Sequence, residues 1–178
     1  MLVSLILPIV LSAIALFFVS FLSWMVFKLH VKDWGKLEKE DEFMKSGRDL
    51  DLKPGSYMFP FCSGGEEMKS EEFQAKAKEG PTGIITVFPP TSMGRNLGLT
   101  FLFFLVVSFC LAYLTTLAHE RGASFAEVFR FVTTAGLMTY LASVICHAIW
   151  FRMRIIGHII ESIAYAAITG AIFGAFWP

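Results

Sequence analysis

The sequence predicts an all-α membrane protein: four transmembrane helices, with a cytoplasmic insert between the first and second. Three observations carry this. Of the 178 residues, 55% are hydrophobic and only 17% are charged. The apolar residues gather in four blocks, each near the roughly 20 residues that cross a bilayer. The charged residues gather between those blocks.

The first block covers residues 1–27. No positive charge precedes it, while Lys28, Lys32, Lys36 and Lys39 follow it. A cleavable signal peptide carries its charge first and then stops at small residues. Here the apolar run continues through Phe17, Phe18 and Phe21, which predicts an uncleaved anchor.

Residues 28–96 form the insert, with one or two short helices and a short strand. The charged stretch Asp33 to Lys45 is expected to be helical and to continue the first span, with Gly47 ending it. Pro54-Gly55 marks a turn. Tyr57 to Cys62 is aromatic enough to need a packing partner. Ser70 has the features of a helix N-cap, and Glu71 and Glu72 in the next turn suit the helix dipole. Gly80-Pro81 stops that helix. Gly83 to Phe88 is β-branched and apolar, which predicts a strand. The insert holds few large apolar residues, so it is expected to lie on the membrane face or against a partner.

Residues 97–178 hold the other spans, at 97–117, 125–151 and 155–177. Ser92 can cap the first of these below the membrane. The loops between the three are short, which makes their helices antiparallel neighbours. Thirteen of the 15 Lys and Arg residues then fall on one side, Arg121 and Arg130 being the exceptions. Positive residues mark the cytoplasmic side, so both termini are expected outside. Trp24, Trp150 and Trp177 stand at span ends, where amphipathic rings favour the interface.

One stretch, Cys146 to Ser162, holds two histidines and a glutamate at the bend between the last two spans. His147 and His158 are each ~12 Å from their span centres, and Glu161 is ~7.5 Å from its own, at the helical rise. Ionisable residues at such depth cost roughly 2.5–3.5 kcal/mol unless paired. Arg130, Thr133, Gly136, Tyr140, Ser143 and His147 recur at steps of three and four, the pattern of a helix face turned toward protein. His158, Ser162, Ala166, Gly170 and Gly174 recur every four residues. The last four form a small-residue stripe suited to close helix packing. The expected cluster is therefore His147, His158, Glu161, Tyr140 and Arg154.

Several readings of that cluster remain open. It can be a polar network that fixes helix register. His147, His158 and Glu161 can ligate a metal, and a histidine can ligate haem. Tyr140 and Tyr165 suit a proton path or a quinone pocket. No cofactor is favoured over the others. Cys62, Cys110 and Cys146 are too scattered for a zinc module or a disulfide framework and are read as packed or free thiols. His119 and Glu120 fall in an outer loop, and Arg130 can snorkel or pair with Glu127. The sequence lacks a nucleotide-binding glycine loop, a GxSxG and an HExxH. It also lacks the basic, aromatic-interleaved surface that nucleic acid requires.

From about Tyr57 onward the chain resembles a family of bacterial four-helix integral membrane proteins with no assigned activity. The resemblance rests on Met58-Phe59-Pro60, Glu72-Phe73, Gly80-Pro81, Met93-Gly94-Arg95-Asn96-Leu97, Ala148-Ile149-Trp150-Phe151 and the tail Tyr165, Thr169, Gly174, Trp177-Pro178. It covers about two-thirds of the chain. It implies the same topology and a bacterial inner-membrane location. It also implies Asp or Asn at the position of His147, and Gly at that of Arg152. Asp, Asn and His share only the ability to hydrogen-bond, which favours a structural network over a ligand role for His147.

The expected partners are the lipid bilayer and other membrane chains or further copies of this one, and no nucleic acid. The leading functional expectation is an accessory or scaffolding subunit. The alternatives are a metal-, haem- or quinone-binding redox subunit and a proton-coupled transporter or channel.

Overall fold

The computed structural model describes residues 2–178. Helix α1 is Ile6–Phe21, α2 is Glu40–Asp49 and strand β1 is Gly55–Phe59. Helix α3 is Gly65–Met68, α4 is Glu71–Glu79 and strand β2 is Gly83–Val87. The long helices α5, α6 and α7 are Met93–Ala118, Phe125–Phe151 and Ile156–Ala175. Residues 2–35 and 93–178 form one compact unit, and Lys36–Ser92 forms a second.

Four helical segments in the first unit are long and apolar enough to cross a membrane. They are Leu2–Val26, Met93–Ala118, Phe125–Phe151 and Ile156–Ala175. Their buried positions follow the helical repeat. Leu5, Ile9, Ala13 and Leu16 line α1 and the turn before it, and Phe104, Val107 and Leu111 line α5. Val128, Val132 and Tyr140 face inward from α6, and Tyr165, Ala166 and Phe173 from α7. Large apolar side chains on the other faces, such as Phe18, Leu102, Phe109 and Ile163, are exposed, as a lipid-facing surface requires.

Helices α6 and α7 pack antiparallel along small residues. The Ser162 hydroxyl donates to the Tyr140 carbonyl at 3.2 Å. A Cβ on Gly136 would stand 3.3 Å from Ala166 Cα. One on Gly170 would collide with Thr133 Oγ1 and approach the Phe129 carbonyl to 3.0 Å. Gly174 lies as tightly on Phe125. Ser162, Ala166, Gly170 and Gly174 thus meet α6. With no Cβ in the way, dispersion contacts form between the backbones themselves.

The far end of this hairpin is closed by made hydrogen bonds. Ser124 caps α6 with a capping box: its N–H and hydroxyl donate to Glu127 Oε2, and its Oγ accepts from the Glu127 N–H. The Gly122 N–H donates to the Pro178 carbonyl at 2.8 Å. The Trp177 Nε1–H donates to the Glu120 carbonyl at 2.9 Å.

The first span does not continue into a charged helix. Its last turn widens into a π turn over Leu22–Val26, where the Phe27 N–H reaches the Leu22 carbonyl. Lys28 then takes a positive φ of 51°. The Leu29 N–H bonds back to the Ser23 carbonyl at 3.0 Å, so the chain folds under the end of its own helix. A single short turn, Val31–Asp33, follows. The helix expected over Asp33 to Lys45 begins only at Glu40 and runs past Gly47 to Asp49.

In the second unit β1 and β2 pair antiparallel, with Tyr57 opposite Ile85. Half of the aromatic stretch Tyr57 to Cys62 is therefore strand. Ser70 caps α4, its Oγ accepting from the Phe73 N–H at 3.2 Å. Ser63 donates from its N–H and hydroxyl to Glu67, which holds that carboxyl below its ordinary range.

Candidate functional site: a histidine–carboxylate centre at one end of the bundle

The fold-back after α1 delivers His30 to the start of α7. There its ring lies against Gly157, where a Cβ would stand 2.8 Å from His30 Cε1 and 3.2 Å from the Leu29 carbonyl. Only a residue without a side chain admits the imidazole at this point. The Trp24 ring stacks on that of His30, with centroids 4.1 Å apart. His30 is left 2% exposed.

Both ring nitrogens of His30 meet acids. Nδ1 is 2.7 Å from Asp33 Oδ2. An ionised carboxylate only accepts, so Nδ1 carries the proton and Nε2 is the free position. Nε2 stands 3.2 Å from Glu161 Oε2. The two are nonetheless not aligned as a hydrogen bond, and Nε2 is a buried nitrogen without a hydrogen-bond partner among the described residues. A lone pair facing a carboxylate at this range is repulsive, so a proton or a cation belongs between them.

His158 completes the group. Its ring centroid is 4.6 Å from that of His30, and its Nδ1 is 3.9 Å from Glu161 Oε2. One ligand atom from each of His30, His158 and Glu161 lies within 4.8 Å of the others. Glu161 is 7% exposed, and its Oε1 has no hydrogen-bond partner among the described residues. Asp33 Oδ1 is likewise buried without a hydrogen bond, with Arg154 Nε 3.9 Å away. Tyr165, one turn beyond Glu161, lies near that carboxylate and Ser20.

Of the residues expected to cluster, the structure joins His158 and Glu161 and brings Arg154 to Asp33. It does not join His147. That side chain is exposed and packs on Phe151, with ring centroids 4.3 Å apart. The reason is register. Ser162 lies opposite Tyr140 and Ala166 opposite Gly136, so His147 falls opposite Ile155, before α7 begins. The expected polar face of α6 splits in the same way. Gly136, Tyr140 and Thr133 turn inward, while Arg130 and Ser143 are exposed. Tyr140 packs edge-on against Tyr165 at 5.6 Å, deeper in the bundle than the centre.

Sequence reasoning missed His30 and Asp33 because they stand among lysines after the first apolar block. A signal was present: a histidine with an acid three residues on, close behind a tryptophan at a span end.

Four helices apolar enough to cross a membrane define the class: this is a multi-pass, all-α membrane protein, here with a buried histidine–carboxylate centre. No protein-family model, curated protein or solved structure matches the chain.

Proposed function

We propose that this chain is a metal-binding membrane protein. It holds one divalent transition-metal ion between His30 Nε2, His158 and Glu161. The observation that carries this is the buried His30 Nε2, which makes no hydrogen bond and faces Glu161 Oε2 at 3.2 Å, in a group that His158 closes. Bonds of ~2.0–2.2 Å put ligand atoms roughly 3–4 Å apart, so the group closes on an ion by less than about 2 Å. Two imidazoles and a carboxylate suit zinc or ferrous iron and leave coordination positions open. Asp33 on Nδ1 would fix the tautomer and orient the ring, as acids behind metal-bound histidines do. The ion would also offset the charge of Glu161, which is costly to bury alone.

The test is metal analysis of the full chain, purified in mild detergent without chelator, followed by cobalt titration. Close to one equivalent per chain is expected, with a visible cobalt band that His30→Gln and Glu161→Gln abolish. A wild type that takes up no metal would overturn the proposal.

A second reading is favoured by a different observation. One face of α6 carries Ser143 and His147, a helical turn apart and uncovered by the other helices of the chain. Polar groups in a span tend to face protein. An accessory subunit that docks this face against another membrane chain would cover them. Native extraction that yields only monomers, with no companion chain, argues against it. The skew of Lys and Arg supports placing the His30 end on the cytoplasmic side. The bacterial inner-membrane location rests on the family resemblance.

A further inference from the structure

Beside the centre, and independent of any metal in it, an open groove of about 390 Å³ runs between the segment after α1 and the start of α7. Its lining combines two chemistries. Phe27, Ile156 and Ile160 are apolar, and all three are exposed. Lys28, Lys32 and Arg154 are cationic. Lys28 and Lys32 make no ion pair among the described residues. Arg154 has Asp33 within 3.9 Å. Asp33, itself bonded to His30, therefore offsets one of the three charges and leaves an excess of two.

The position of the groove fits both linings. It lies where two candidate spans end, so its apolar wall is continuous with the exposed apolar faces of α1 and α7. Trp34 and Trp150 stand at the same end, 73% and 79% exposed, as rings at headgroup level do. A soluble anion would use the cations and leave the apolar wall bare. A neutral lipid would use the wall and leave the cations unpaired. An acidic protein segment would not need an apolar wall continuous with the lipid-facing surface.

We infer that this groove is a binding site for an anionic glycerophospholipid. The headgroup phosphate lies among Lys28, Lys32 and Arg154, and the acyl chains run over Phe27, Ile156 and Ile160. The turn that folds His30 under α7 also builds the basic wall, because the positive φ of Lys28 directs the chain across the end of the bundle.

The test is titration of delipidated full-length protein in neutral detergent, read by thermal melting and native mass spectrometry. The probes are phosphatidylglycerol, phosphatidylcholine and inorganic phosphate. Phosphatidylglycerol is expected to remain bound and to raise the melting temperature, with binding that weakens as salt rises. The exposed pair Lys28→Gln/Lys32→Gln should bind it roughly 20–30-fold more weakly, at about 1 kcal/mol per lysine. Phosphatidylcholine binding as well as phosphatidylglycerol would overturn the proposal. So would inorganic phosphate matching it, or a double variant with wild-type affinity. If the double variant does not fold, salt-independent binding of phosphatidylglycerol to the wild type would overturn it equally.

Discussion

The two ends of the membrane bundle are closed by opposite means. At one end Trp177, the carbonyl of Pro178, Gly122 and the Ser124–Glu127 box tie the last residues to the α5–α6 turn. Each tie there is a made hydrogen bond. At the other end His30, Asp33, His158 and Glu161 are packed together, and three of their buried atoms lack a hydrogen bond. An unmade bond in a low-dielectric site costs more than a made one returns. The first end leaves one such atom, His119 Nε2, on a single ring; the second gathers three on side chains that touch one another, and this sets a ligand site apart from a latch.

The strongest way to break the contrast is Glu161→Gln. It removes the one charged ligand, and metal uptake is expected to fall by more than ~100-fold, read by cobalt titration. Gly157→Val comes next. Its side chain meets His30 and the Leu29 carbonyl, and the carbonyl cannot move alone. A loss of about 2–3 kcal/mol is expected, read as a lower melting temperature together with lost metal. Asp33→Asn keeps the shape but weakens the hold on Nδ1. Metal affinity should drop about 10–100-fold while the fold persists, as for other acids behind ligating histidines.

The remaining changes act on the closed end and should leave metal affinity untouched. Ser124→Ala removes the cap of α6 and should cost about 1 kcal/mol. Trp177→Phe keeps the ring and loses one hydrogen bond, for ~0.5–1 kcal/mol. If either lowers metal affinity, the two ends are coupled and the contrast fails. Metal binding should also weaken in acid, because histidine ligands must give up their protons to bind.

The spans were legible because hydropathy dominates them: 125–151 is helix α6 as read, and 155–177 differs from α7 only at its ends. The start of α5 at Met93 was legible from Ser92, the cap expected below the membrane, and not from hydropathy, whose span begins only at 97. Strand β2 was visible in its β-branched run. Its partner β1 was hidden, because Pro60 and the aromatic residues around it mask the alternation. For the centre, periodicity along α7 placed His158 and Glu161 on a common side. It could not supply His30, which arrives by a π turn and a left-handed residue that no periodic pattern encodes. Periodicity also overreached on α6: it put His147 on the Tyr140 face without knowing that α7 begins too late to cover it.

The π turn at Leu22–Val26 also has a consequence for ancestry. Because the chain leaves α1 there, the distance from Trp24 to His30 is fixed by geometry and not by the length of the apolar block. Relatives with the same centre should tolerate insertions upstream of Trp24 and none between it and Asp33. Their shared mark would be two short words at opposite ends of the chain, W-x5-H-x2-D and G-H-x2-E. Divergent chains can be aligned on those words where their apolar residues have drifted beyond comparison.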